Sequence, residues 1–134
     1  MIGLDTNVIV RFLVQDDPVQ AKIATRIFEH EIGPANPGLI SSVVLCEVVW
    51  VVQRAYKQKK AKIVEIVRGL LETESVSLER RDAVWRALRQ YEQGRADFSD
   101  CLIAEVNKEL GAATTVTFDV AAADNPLFSL AGSG

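Results

Sequence analysis

Four acidic side chains lie where one predicted element ends or the next begins, a fifth lies about one turn into a helix, and together they indicate metal chemistry. They are Asp5 after "MIGL", Glu47 within "VVLCEVVWVV", Asp97 and Asp100 within "ADFSD", and Asp119 after "TTVTF". Several carboxylates gathered at one place repel each other at neutral pH unless divalent cations offset their charge. A set of carboxylate oxygens without His or Cys selects hard ions such as Mg²⁺ or Mn²⁺ rather than zinc.

Taken one at a time, four of these acids have an ordinary structural explanation. Helix N-caps and first helical turns favour Asp, which would account for Asp5, Asp97 and Asp100. Asp119 could simply begin a turn after its strand. The joint pattern is more specific than any one member, because the carboxyl ends of parallel strands lie along one edge of a sheet.

Glu47 is harder to explain as a surface residue. The residues on both sides of it are apolar, so we expect its helix to be buried all round and its carboxylate with it. A buried charge without a partner is strongly unfavourable, so Glu47 needs a cation. One alternative is a structural salt bridge to Arg54 or Arg86, and the other is a metal ion or a proton at an active site.

The elements that must position these acids alternate between strands and helices. Strands are predicted for "MIGL", "LISS", "SVSL", "TTVTF" and, at an edge, "PLFSL". Helices are predicted for "NVIVRFLV", "PVQAKIATRIFEHEI" with Asp17 as N-cap, "VVLCEVVWVVQRAYK", residues 61–71, "RRDAVWRALRQYEQ" and "SDCLIAEVNKEL". The alternation predicts an α/β fold with a central, mostly parallel sheet and helices on both faces.

Composition limits the remaining choices. A chain of 134 residues with 49% hydrophobic and 25% charged residues fits one globular domain. No apolar run is long enough to span a membrane and no signal peptide is present, so we expect a cytoplasmic protein.

We expect Cys46 and Cys101 to be reduced thiols in the core. The single His30 lies far from every acid, which argues against nucleophilic catalysis with a histidine base.

Four stretches in this order, "DTNVIVRFL", "ISSVVLCEVVWVV", "ADFSDCLIAEVNKELG" and "TVTFD", resemble the PIN-domain nucleases, and most closely the VapC toxins of toxin–antitoxin pairs. The similarity spans nearly the whole chain. It implies a PIN-like fold over residues 1–130, and the stretch "AGSG" at residues 131–134 is typical of a disordered tail. It also implies a Mg²⁺-dependent (or Mn²⁺-dependent) ribonuclease that hydrolyses RNA, forms a homodimer and is held inactive by a VapB-type antitoxin.

The resemblance further implies roles for individual residues. The implied metal ligands and catalytic acids are Asp5, Glu47, Asp100 and Asp119. Asp97 is an additional acid that many members of the family share. Asn7 takes the place of the polar neighbour of the first acid, and Thr117 that of the hydroxyl residue beside the last.

Two other features bear on partners. The stretch "RAYKQKKAK" contains Arg54, Lys57, Lys59 and Lys60 and no acid, so it is either a solvated corner between helices or a site for the RNA backbone. The stretches "NVIVRFLV" and "VVLCEVVWVVQRAY" supply more apolar surface than one sheet readily covers, which favours an interface with a second copy or an inhibitor.

Three other functions are alternatives to a toxin ribonuclease. A phosphoaspartyl hydrolase of the haloacid-dehalogenase type would need a second acid at position 7 and Thr or Val at position 9, where this chain has Asn7 and Ile9. A noncatalytic module that binds a metal or a partner would not turn RNA over. Among nucleases, a housekeeping RNA-processing role competes with the toxin role, and the sequence leaves that choice open.

Overall fold

The structure is a computed structural model that describes residues 1–132. The chain divides into two compact units, Met1–Glu79 and Arg80–Gly134. The expectation of one domain over residues 1–130 stays a prediction. Of the expected tail, residues 133 and 134 lie outside the described residues, whereas Ala131 N donates a hydrogen bond to Thr117 O at 2.7 Å.

The first unit contains three strands and four α-helices. In chain order they are β1 (Ile2–Gly3), α1 (Thr6–Val14), α2 (Pro18–Arg26), a π-helical segment (Ile27–Glu31), β2 (Gly38–Ile40), α3 (Ser42–Arg54), α4 (Lys60–Glu72) and β3 (Val76–Leu78). The strands form a parallel sheet in the order β1-β2-β3, with Gly3 opposite Leu39 and Leu39 opposite Ser77. Parallel pairing requires helical crossovers between the strands, which α1 to α4 supply.

The core of this unit comes from one face of each helix. Ile9 of α1, Leu45 and Val48 of α3, and Ile63 of α4 are fully buried. Burying a side chain of this size stabilises the fold by about 1.5–3 kcal/mol. This packing fixes the first turn of α1 and the middle of α3, where Asp5 and Glu47 lie.

The second unit pairs two helices with a smaller sheet. Its elements are α5 (Arg81–Gln93), α6 (Phe98–Glu109), β4 (Thr115–Thr117), a short 3-10 helix (Ala122–Asp124) and β5 (Phe128–Leu130). Strands β4 and β5 are parallel, with Thr115 opposite Phe128. Helix α6 stops because Gly111 adopts a positive φ of 99°, a conformation that costs a glycine little.

The α/β class with parallel strands and the six α-helices expected from the sequence are confirmed. The cap of α2 is also as expected: the Asp17 side chain accepts from Val19 N and Gln20 N, and Pro18 is the first helical residue. The strand assignment for "LISS" was wrong in its second half. Ser41 is the N-cap of α3 and accepts from Val44 N, so the helix begins at Ser42.

Across residues 1–132, none of the helices is both long and apolar enough to cross a bilayer. Neither cysteine forms a disulfide within the described residues, and Cys101 is buried as expected whereas Cys46 is only half-buried. His30 lies in the π-helical segment, where its Nε2 is 3.9 Å from Glu29 Oε2.

Candidate active site

Asp5 occupies the junction between β1 and α1. The strand ladder continues to Leu4, whose N–H bonds to Leu39 O at 2.9 Å, and Asp5 then becomes the N-cap of α1. Its Oδ1 accepts a hydrogen bond from Thr6 N at 2.8 Å. The capping explanation is therefore confirmed, yet it uses only one carboxylate oxygen. The other has no hydrogen-bonding partner within the described residues, and the side chain is exposed.

Glu47 is exposed, so the prediction that it is buried was wrong. Helix α3 leaves one face uncovered, and Val43 and Trp50 on that face are 77% and 56% exposed. Because almost every residue of α3 is apolar, the sequence pattern could not reveal which face meets solvent. Exposure also removes the argument that Glu47 must have a cation to be tolerated in the fold.

Among the described residues, Glu47 also does not form the structural salt bridge to Arg54 or Arg86 that the sequence allowed. Its Oε2 accepts a hydrogen bond from the Thr6 hydroxyl at 3.3 Å. Arg54 lies over the Trp50 ring, 6.0 Å from its centroid, as a cation–π neighbour. Thr6 thus contacts both candidate acids of the first unit, through its N–H to Asp5 and its hydroxyl to Glu47, a role that the sequence reasoning missed.

A cleft of about 310 Å³ opens beside these two acids. Its lining includes Asp5, Thr6, Asn7, Arg11, Glu47 and Tyr56. The structure therefore brings Asp5, Glu47 and the expected polar neighbour Asn7 to one cavity. Arg11 and Tyr56 were not singled out from the sequence. The sequence does contain a signal for Arg11, because an arginine inside the apolar run "VIVRFLV" is unusual.

In the second unit, Asp97 and Asp100 lie at the beginning of α6. Asp97 is the N-cap residue, but its side chain makes no capping hydrogen bond, so the capping explanation fails for its carboxylate. Asp100 is half-buried in the first turn. Neither carboxylate has a hydrogen-bonding or ion-pair partner within residues 1–132. Burial raises the pKa of Asp100, and the negative charges of Asp97 and Asp119 raise it further.

Asp119 follows β4 and begins a turn, as its ordinary explanation predicted. Its Oδ1 accepts from Ala121 N at 2.9 Å and Ala122 N at 3.2 Å. Its own N–H donates to Thr117 Oγ1 at 3.0 Å, so the threonine hydroxyl contacts the main chain of the acid. These bonds fix the carboxylate in one orientation and leave Oδ2 without a hydrogen-bonding partner among the described residues.

Farther along α6, two acids are paired instead. Arg86 of α5 donates from Nε to Glu105 at 2.9 Å and from Nη2 to Glu109 at 2.7 Å, while Arg80 reaches Glu109 at 2.9 Å. Glu105 is buried, with a side chain only 5% exposed. The hydrogen bond from Arg80, followed by that from Arg86, lowers the pKa of Glu109. The sequence reasoning did not find this network.

The free carboxylate oxygens fit a hard divalent cation. Asp5 and Asp119 each keep one oxygen free, and Asp97 and Asp100 keep both. Carboxylates without basic partners are the ligands that Mg²⁺ and Mn²⁺ prefer. Within either unit, as far as residues 1–132 are described, no three acidic, His or Cys side chains lie close enough to hold one ion.

The basic tract lies where α3 ends and α4 begins. Arg54 is the last residue of α3, Lys57 has a positive φ of 52° in the connecting loop, and Lys59 is the N-cap of α4. Lys60 is the first residue of α4, and all four side chains are exposed. The tract begins beside the cleft, because Tyr56, which lines the cleft, immediately precedes Lys57.

Comparison with known proteins agrees with this architecture. The chain is 25% identical over 115 residues to a VapC ribonuclease of Aquifex aeolicus (strain VF5), an alignment that covers 86% of this chain and 84% of that protein. The sequence profile of the PIN domain matches residues 2–125. With parallel strands joined by helices and acids following β1 and β4, the chain belongs to the PIN domain family.

Proposed function

We propose that this protein is a metal-dependent endoribonuclease of the VapC type. Membership of the PIN domain family and similarity to a protein named VapC ribonuclease support the reaction class. The observation that carries the proposal is the set of carboxylates at the start of α6. Asp97 and Asp100 contribute nothing to capping or ion pairing, and the pKa of Asp100 is raised by its burial and, beyond that, by the negative charges of Asp97 and Asp119.

Four acids would hold the metal ions in this proposal: Asp5, Glu47, Asp100 and Asp119. When bound, Mg²⁺ or Mn²⁺ would supply an activated water at neutral pH and stabilise the leaving oxygen of an RNA phosphodiester. Asp97 adds negative charge beside Asp100, which raises the local affinity for cations. Carboxylates without basic partners are what a cation-loaded site requires, and turnover of RNA distinguishes the nuclease from a noncatalytic module that binds a metal.

Neighbouring groups orient these acids. The Thr6 hydroxyl donates to Glu47, and the Thr6 N–H holds one oxygen of Asp5. Two main-chain N–H groups fix Oδ1 of Asp119, and Thr117 accepts from its main chain. Such contacts restrict rotamers before a ligand binds, which reduces the entropy that binding must offset.

The first test compares two aspartates that both cap helices. Asp5→Asn and Asp17→Asn each keep a good N-cap, so both proteins should unfold near the wild-type temperature. We expect only Asp5→Asn to lose RNA cleavage, measured on single-stranded RNA with Mg²⁺. Chelation with EDTA should abolish wild-type cleavage and Mn²⁺ should restore it. Cleavage that persists in EDTA, or equal loss in both variants, would contradict the proposal.

We further propose that the nuclease is a cytoplasmic homodimer held inactive by a VapB-type antitoxin. The uncovered face of α3, with Val43 and Trp50 exposed, supports a protein partner. Co-expression with the product of a short neighbouring gene should give a complex that lacks ribonuclease activity and regains it when the partner is proteolysed. A monomer that neither binds that product nor slows growth would favour the housekeeping role instead.

A further inference from the structure

The cleft beside Asp5 and Glu47 contains a cation of its own. Arg11, on the second turn of α1, is the one basic residue among those that line this cavity in the described part of the chain. Its side chain is 30% exposed. An RNA strand that approaches the two carboxylates is a polyanion, so it needs positive charge on the same wall as well as metal ions.

Three side chains hold the Arg11 guanidinium in place. Its Nε donates to Gln20 Oε1 at 2.7 Å, and its Nη1 donates to Asp16 Oδ1 at 3.2 Å and to the Tyr56 hydroxyl at 3.0 Å. Tyr56 in turn donates to the other Asp16 oxygen at 2.8 Å. A guanidinium fixed in this way loses little rotamer entropy when it binds a further ligand.

One nitrogen of the Arg11 guanidinium, Nη2, is available for a further ligand. A guanidinium carries five N–H donors, and the three bonds from Nε and Nη1 use three of them. The two N–H groups of Nη2 have no protein acceptor within residues 1–132. A phosphate oxygen is a strong acceptor for these charged N–H groups.

We propose that Arg11 binds a phosphate of the RNA backbone in this cleft, and that Tyr56 and Asp16 are positioning residues that hold its guanidinium. Tyr56 also links this contact to the basic tract, because it is followed directly by Lys57. The strand would therefore pass from the acids to Arg11 and on to the exposed lysines. This inference rests on the proposed ribonuclease function.

A purely structural role makes a different prediction. If Arg11 only braced α1 against Asp16, Gln20 and Tyr56, its removal would lower the unfolding temperature and leave RNA binding by the folded protein unchanged. Removing a residue that binds phosphate instead reduces the dependence of binding on salt, because fewer counterions are released. The slope of log Kd against log salt therefore separates the two roles.

The experiment measures binding of a labelled, single-stranded RNA of mixed sequence with Mg²⁺ present, in an Asp100→Asn background that prevents cleavage. Arg11→Gln should weaken binding about tenfold and reduce the salt slope by about 0.7. Arg26→Gln, which removes an exposed arginine outside the cleft, should match the parent protein. Tyr56→Phe keeps the Arg11 charge, so it should weaken binding with little change in slope.

The outcomes separate this inference from the proposed function. Wild-type slope and affinity in a folded Arg11→Gln protein would overturn the phosphate contact while metal-dependent cleavage by the wild type still stood. Should Arg11→Gln fail to fold, the neutral Arg11→Met variant, which keeps the aliphatic stem, replaces it, and wild-type slope and affinity in that variant would overturn the contact. Arg11-dependent binding by a wild-type protein that never cleaves RNA would support the contact and contradict the ribonuclease assignment.

Discussion

The two halves of α6 carry acids in opposite electrostatic settings. At its beginning, Asp97 and Asp100 have no hydrogen-bonding or ion-pair partner among residues 1–132, although a helix N-terminus is where carboxylates are easiest to place. In its second half, the dipole disfavours negative charge, yet Glu105 and Glu109 are held by arginines. The intrinsic field of the helix would stabilise the first pair, and the protein instead stabilises the second.

The pKa values of Asp100 and Glu109 shift in opposite directions. Burial and, beyond it, the negative charges of Asp97 and Asp119 raise the pKa of Asp100. Hydrogen bonds from Arg80 and Arg86 lower the pKa of Glu109. The charged form of Glu109 therefore favours the folded state, whereas the charged form of Asp100 opposes it. Groups retained at such a cost are expected at a functional site.

The largest expected effect separates these two sets by activity. Asp100→Asn should reduce RNA cleavage by about 10²-fold or more, because it removes a proposed metal ligand. Its unfolding temperature should equal or exceed that of the wild type, since a repelled charge is removed. Glu109→Gln, on the same helix, serves as the control and should cleave RNA normally. Parallel loss of folding and activity in Asp100→Asn would show that Asp100 is structural.

The second prediction concerns the buried member of the paired set. Glu105→Gln weakens a charge-assisted bond to Arg86 inside the second unit, so we expect a loss of about 1–3 kcal/mol in the free energy of unfolding. Arg86 keeps Glu109, which limits the loss. Urea denaturation measures it, and RNA cleavage per folded molecule should stay unchanged. No loss of stability would mean that the burial of Glu105 is not offset by its ion pair.

The third prediction uses pH to distinguish the two sets. Glu109 has a lowered pKa in the folded state, so its contribution is present above the ordinary value of 4.5 and is lost as the pH falls through the folded value. Asp100 has a raised pKa, so its contribution is present below the ordinary value of 3.8 and is lost as the pH rises through the folded value.

Thermal unfolding of the wild type and two variants from acid to neutral pH tests these signs. The advantage of Asp100→Asn over the wild type should grow as the pH rises above the acid range. The disadvantage of Glu109→Gln should grow over the same range. Two difference curves with the same sign would contradict the assignment of one acid as repelled and the other as paired.

Sequence reasoning located the candidate acids but not their surroundings. Asp5, Asp100 and Asp119 were found because strand ends and helix starts follow from local periodicity and capping. The exposure of Glu47 could not be found, because an apolar run does not show which face its neighbours leave open. The pairing of Arg86 with Glu105 joins residues of different helices, and such contacts depend on packing rather than on local pattern.

The smallest expected effect tests whether the basic tract complements the acids as a site for RNA. Lys57 and Lys59 make no ion pair within residues 1–132, and Lys60 directly follows them at the start of α4. If this tract holds the RNA backbone, changing all three to Ala should lower the salt slope of RNA binding by about 0.7 for each phosphate that is no longer bound. Stability should change little, because all three side chains are exposed.

The control for this last prediction is a variant that loses the same number of positive charges from other parts of the surface. Changing the exposed residues Lys22, Arg89 and Lys108 to Ala removes three positive charges from other surfaces. General attraction to RNA would weaken in both triple variants alike, because it depends on net charge. A slope that falls only in the Lys57, Lys59 and Lys60 variant would locate the phosphate contacts in the tract, whereas equal slopes would leave it a solvated corner between α3 and α4.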